Sequence, residues 1–129
     1  MATDFDYTAA ARLLDERSQQ RSQRDKLLLE RARTDFARIT SMIATKYQPA
    51  RIYQWGSLLN GEHFREWSDI DVAVEGLRSA EEFSELLRDA EALTDFPLDV
   101  VRLEKIDPLH AESIRRKGRK IYEDAGIAG

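Results

Sequence analysis

Apolar positions keep a helical rhythm in the first third of the chain and a strand rhythm after it. Leu27, Leu28, Phe36, Ile39, Met42, Ile43 and Tyr47 recur at three- and four-residue intervals, which predicts an amphipathic helix over about 24–47. The run before it, DERSQQRSQRDK over 15–26, contains no apolar side chain. Such a segment cannot bury a face. It is either a solvated stretch of helix or an arm whose start, with Phe5, Tyr7, Leu13 and Leu14, packs on something else, a partner included. Past Pro49, RIYQWGS reads as a short strand ending at a Gly-Ser turn, and DIDVAV over 69–74 alternates polar and apolar before a turn at Gly76. Residues 79–93 begin with the N-cap candidate Ser79 and acids in the first turn, and set Phe83, Leu86, Leu87, Ala90 and Leu93 on one helical face. PLDVVRL over 97–103 predicts an apolar, interior strand interrupted by one acid. A helix over 107–117 starts at Asp107-Pro108 and stops at Gly118, and RKIYE is a last short strand.

The expected architecture is α/β: a small mixed β-sheet with helices packed against it and an extended N-terminal helical segment. At 129 residues there is room for one core, and neither an internal repeat nor a Pro/Gly/Ser linker divides it. With 42% hydrophobic and 34% charged residues, no apolar run approaches the roughly 20 residues a membrane span needs. The acidic start MATDFD lacks the basic and apolar regions of a secretory signal, so the expected location is cytoplasmic. The chain has no cysteine, which removes disulfides, thiolate metal sites and cysteine nucleophiles. His63 and His110 are too few for a histidine metal site, which leaves carboxylates as ligands.

The net charge of −4 hides a segregation: +3 over 12–38, −9 over 56–99 and +4 over 102–120. Glu81, Glu82, Glu85, Asp89 and Glu91 belong on the solvent face of a helix. Acids inside apolar strands need another account. Residues two apart in a strand project to the same face about 6.5–7 Å apart, so Asp69 and Asp71 point together while Ile70, Val72 and Val74 face the core. Asp99 stands among Leu98, Val100 and Val101, where an ionised carboxylate is costly unless it pairs, for instance with Arg102 or Arg119, or binds a cation. Three converging acids without a basic neighbour repel one another and raise at least one pKa unless divalent metal neutralises them. Hard oxygen ligands of this kind suit Mg²⁺ or Mn²⁺. Gly56 lets backbone approach a phosphate closely, and Ser57 adds a hydroxyl and an N–H; an ordinary turn is the plainer reading of the same pair.

GSLLNGEHFREWSDIDVAV, residues 56–74, resembles the Gly-Ser, spacer, Asp-x-Asp signature of the polymerase beta-like nucleotidyltransferase superfamily. The nearest likeness is to the minimal nucleotidyltransferases, with LDVV and IRRKGRKIYE similar to that family's third carboxylate and C-terminal end over about 35–123. The polar N-terminus falls outside the resemblance, so the expected organisation is a polar helical arm over 1–26 followed by a minimal nucleotidyltransferase domain over 27–129. The resemblance implies that Asp69 and Asp71 coordinate two Mg²⁺ ions, that Asp99 ligates the catalytic metal and helps deprotonate the acceptor hydroxyl, and that Gly56 and Ser57 hold the triphosphate of ATP. Many relatives carry arginine in the turn where this chain has Asn60, and Arg65 is the candidate substitute at the nucleotide. Trp55 and Trp67 flank the site, either packing or stacking on a base or acceptor. The basic run Arg115 to Lys120 either engages phosphates or complements a helix end.

The implied function is an antitoxin that moves AMP from ATP to a hydroxyl, a tyrosine above all, of a cognate HEPN-type toxin protein. A binding antitoxin that only masks its toxin is the alternative, motivated by Asn60 and the arm. Transfer to an aminoglycoside-type antibiotic ranks lower, because a chain this short has little material to enclose a small acceptor. A net acidic chain also argues against a large nucleic-acid footprint.

Overall fold

The polar run 15–26 is helical, and it is part of one helix with the amphipathic segment after it. In the computed structural model, which describes residues 6–62 and 64–126, α1 runs over Tyr7–Met42. It therefore starts well before position 24. Asp6 caps it, its carboxylate accepting from the N–H groups of Thr8 and Ala9 at 3.0 and 3.1 Å, and no Gly or Pro interrupts the run that follows. At about 1.5 Å per residue the helix is roughly 54 Å long. Its buried residues are Ala32, Phe36, Ile39 and Thr40, all in the second half; Leu13 and Leu14, in the first half, are exposed. Phe5 and His63 lie outside the described residues.

A π-helical turn, Ile43–Tyr47, continues α1 and ends at Gln48, whose left-handed backbone turns the chain into Pro49. Strand β1 (Arg51–Trp55) leads through Gly56 into a short helix α2 (Ser57–Asn60), where a plain turn was expected. Next come β2 (Ile70–Glu75), α3 (Ala80–Glu91), β3 (Leu98–Arg102), α4 (Pro108–Lys117) and β4 (Arg119–Glu123). Ser79 and Asp107 cap α3 and α4 as the sequence predicts, accepting from Glu82 N–H at 3.1 Å and Leu109 N–H at 2.8 Å.

The sheet has the order β3-β2-β1-β4. Strand β1 is antiparallel to both neighbours, and β2 and β3 are parallel, joined by a crossover through α3. This is the mixed sheet with helices expected from the pattern. One expectation fails: β3 is an edge strand, not an interior one. It reads as apolar because both of its faces are covered, Leu98 and Val100 joining the main core while Val101 packs in a second cluster. The main core lies between the sheet and α1 with α3, around Phe36, Ile39, Ile43, Ile52, Ile70, Val72, Val74 and Leu86. The second, smaller cluster lies under α4: Tyr53, Ala73, Leu103, Ala111 and Ile114. Of the acids on α3, Glu81, Glu85 and Glu91 are exposed, Glu82 accepts from the Arg78 N–H at 3.0 Å, and Asp89 accepts from Lys46 Nζ at 2.6 Å and from the Tyr47 hydroxyl, tying the end of the first helix to α3.

Candidate active site

Strand register places the acids. Trp55, Asp71 and Asp99 are partners across β1, β2 and β3 and so form one row on the α4 side of the sheet. The next row is Tyr53, Ala73 and Val101, with Tyr53 and Ala73 closed over by Ala111 and Ile114. The acidic row therefore stands at the rim of the second core, at the end where β1 finishes and β2 and β3 begin. Asp69 precedes β2 rather than lying in it, yet it still meets the other two. One carboxylate oxygen from each of Asp69, Asp71 and Asp99 lies within 4.8 Å of the others.

The three differ in exposure: Asp69 is exposed, Asp99 half-buried and Asp71 buried. Burial, then the charges of Asp99 and Asp69, push the Asp71 carboxyl up to about 7. Among the described residues no ion pair reaches any of the three acids. The salt bridges considered for Asp99 are absent there: the Arg102 guanidinium stacks over Phe83 at 5.7 Å, and its Nε is buried without a hydrogen-bond partner. A donor set of three mutually repelling oxygens with no basic neighbour fits a hard divalent cation.

Gly56, directly after β1, closes the site at this same end of the sheet. Its backbone, at φ +82° and ψ −164°, is a conformation that only glycine adopts readily. A Cβ there would also fall 2.8 Å from Asp71 Cγ. Ser57 opens α2, in whose first turn the Leu59 N–H donates back to Gly56 O at 3.2 Å. The Gly-Ser pair thus lies directly against the acidic row.

Two further sequence candidates part company. Asn60 ends α2 and lines a cleft of about 380 Å³ with Trp55 and Gly56. Arg65 instead faces the first helix: Nη1 donates to Phe64 O at 3.0 Å and lies 3.5 Å from Asp25. Trp55 packs edge-on to His110, with ring centroids 5.3 Å apart, and its Nε1 is buried without a partner. Trp67, by contrast, is 72% exposed in the loop before Asp69.

The cleft also holds Lys117, from the basic run that the sequence offered to phosphates, and two residues that sequence reasoning did not place at the site, His110 and Ser113. His110, Ser113 and Lys117 line its α4 side. Their spacing of three and four is one helical face, a polar stripe legible in the sequence once α4 is known to cross the end of β1.

Among the described residues no helix is long and apolar enough to cross a membrane. No curated protein shows significant similarity to the chain. Among solved structures, one provisionally assigned as a minimal nucleotidyltransferase is 26% identical, with a TM-score of 0.57, over 73% of this chain and 94% of that one. A second, from the toxin-antitoxin MntA-HpeT solved as a double aspartate-to-glutamate mutant, is 19% identical with a TM-score of 0.56, over 71% of this chain and 75% of that one, and shares the fold. The family model described as polymerase beta, nucleotidyltransferase matches residues 37–126, which hold the whole sheet, the Gly-Ser turn and all three aspartates. The chain belongs to the polymerase beta nucleotidyltransferase family.

Proposed function

We propose that the protein is an antitoxin that transfers AMP from ATP to a hydroxyl, a tyrosine hydroxyl above all, of a cognate HEPN-type toxin protein. The observation that carries this reading is the convergence of Asp69, Asp71 and Asp99 within 4.8 Å, against the backbone of Gly56. A module that only binds a partner has no physical need for a repulsive carboxylate cluster. The toxin partner is suggested by the MntA-HpeT structure with the same fold.

Asp69, Asp71 and Asp99 would hold Mg²⁺, two ions in the family's manner, with Mn²⁺ as a substitute. Bound there, the metal supplies the positive charge that sharpens an attacking hydroxyl and offsets charge on departing pyrophosphate. Gly56 and Ser57 present backbone N–H groups and a hydroxyl to the triphosphate. Asp99, less buried than Asp71, accepts the acceptor's proton as its oxygen bonds to the α-phosphorus. The bond from that phosphorus to the bridging oxygen breaks, and pyrophosphate leaves with the electron pair. Residues 27–129 form the catalytic unit in this reading, and the arm over 1–26, with Leu13 and Leu14 exposed, meets the toxin.

The test is to combine the protein with Mg²⁺, ATP and the product of the neighbouring gene, and to look by intact mass for added AMP. The expected result is one or more AMP additions on the partner, lost in an Asp69→Ala/Asp71→Ala double mutant together with neutralisation. Undiminished neutralisation by that mutant, without AMP on the partner, would establish the binding-only antitoxin instead.

A further inference from the structure

The turn that follows β1, Gly56 to Asn60, contains no cation. A triphosphate held there, with Mg²⁺ on the three carboxylates, would meet no protein cation from the turn at its outer phosphates. The cleft between α2 and α4 offers that charge from the opposite wall. Its polar lining consists of donors or groups able to donate, namely Asn60, His110, Ser113 and Lys117, and no carboxylate lines it. Lys117 is exposed and has no ion-pair partner among the described residues. Its neighbours Arg115 and Lys120 are engaged, on Glu75 at 2.6 Å and on Glu123 at 3.4 Å.

The backbone at Lys117 is fixed with respect to the turn. Gly118, next in the chain, packs so closely on β1 that a Cβ would meet Gln54 O at 2.8 Å and Ile114 O at 2.5 Å. Gln54 lies two residues before Gly56 on the same strand. The last residue of α4 is thus pinned to the strand that delivers the Gly-Ser turn, and Lys117 reaches the same cleft as Gly56 and Asn60.

We infer that Lys117 neutralises the β- and γ-phosphates of the nucleoside triphosphate, so that the α2–α4 cleft receives the pyrophosphate end of the substrate. The inference rests on the nucleotidyl-transfer reading above and names the residue that supplies its missing charge. A flexible ammonium on a pinned backbone suits a phosphate chain that must leave after each turnover.

The experiment measures affinities of wild type, Lys117→Gln, Lys117→Arg and Arg116→Gln for ATP with Mg²⁺, for AMP, and for inorganic tripolyphosphate by calorimetry. Lys117→Gln is expected to weaken ATP and tripolyphosphate about tenfold, the scale of one charge-assisted hydrogen bond, and to leave AMP within about twofold. Lys117→Arg keeps most of the affinity. Arg116→Gln, altering an α4 residue outside the cleft lining, matches wild type. Unchanged ATP and tripolyphosphate affinity in Lys117→Gln, or a proportionate loss of AMP, overturns the inference while wild-type ATP binding leaves the transferase reading standing. A wild-type protein that binds no ATP with Mg²⁺ overturns both.

Discussion

Gly56 and Asp71 leave no room for a methyl group between them: a Cβ on Gly56 would fall 2.8 Å from Asp71 Cγ, and the residue sits at φ +82°. Steric and conformational demands thus coincide at one position. Gly56→Ala is expected to cost about 1–3 kcal/mol of stability and to displace the Asp71 carboxylate. Urea unfolding and titration of Mg²⁺ with ATP would check both. A variant with wild-type midpoint and affinity would show that the turn relaxes freely.

Asp71 sets a pH dependence with a defined sign. Its carboxyl ordinarily titrates near 3.8 and is pushed up to about 7 by burial and by Asp99 and Asp69. Between those values the folded protein holds a proton that the unfolded chain has released. The contribution to stability is therefore fully present below about pH 4 and lost as pH rises through 7, by up to about 4 kcal/mol. Melting temperature in chelator should fall over this window, and Mg²⁺ should restore it at pH 8. Asp71→Asn should flatten the profile, giving a metal-free protein more stable than wild type at pH 8 and unable to function.

Glu75 contributes on the acid side. Burial raises its pKa, but hydrogen bonds from Arg51 and Arg115 outweigh that and leave it below the ordinary 4.5. Its contribution is present above the ordinary value and lost as pH falls through the depressed one. Glu75→Gln, which leaves Arg51 and Arg115 each short of a carboxylate, is expected to cost about 1–3 kcal/mol at pH 7. Denaturation midpoints at pH 7 and pH 3 should differ less for the variant than for wild type.

Arg65 faces Asp25 at 3.5 Å, with side chains 36% and 26% exposed. An ion pair that solvated contributes under about 1 kcal/mol. Arg65→Ala should therefore shift stability slightly and leave ATP affinity at the wild-type value. A tenfold loss of affinity would return Arg65 to the nucleotide site.

The helices over 79–93 and 107–117 and all four strands were legible in the chain because each carries its own punctuation: Ser79 and Asp107 as caps, Gly76 and Gly118 as stops. The start of α1 was not, because residues 15–26 bury nothing and so leave no periodic trace. β3 reads as interior because Val100 and Val101 pack on opposite faces, which sequence cannot distinguish from a strand with neighbours on both sides. The acids were legible by type and spacing. The cleft was not: Lys117 was legible only as one of a basic run open to phosphates, and His110 and Ser113 join it only when α4 is laid across the end of β1, a tertiary fact.

The register of β2 on β3 pairs Asp71 with Asp99. A slip of that pairing by one residue would carry Asp99 to the opposite face, into the apolar layer under α1 and α3. Near-native misfolded chains would then be distinguished by chemistry before they were distinguished by shape, because metal recruitment would fail while the outline of the domain survived. The carboxylate row thus exists only in the native register of the sheet.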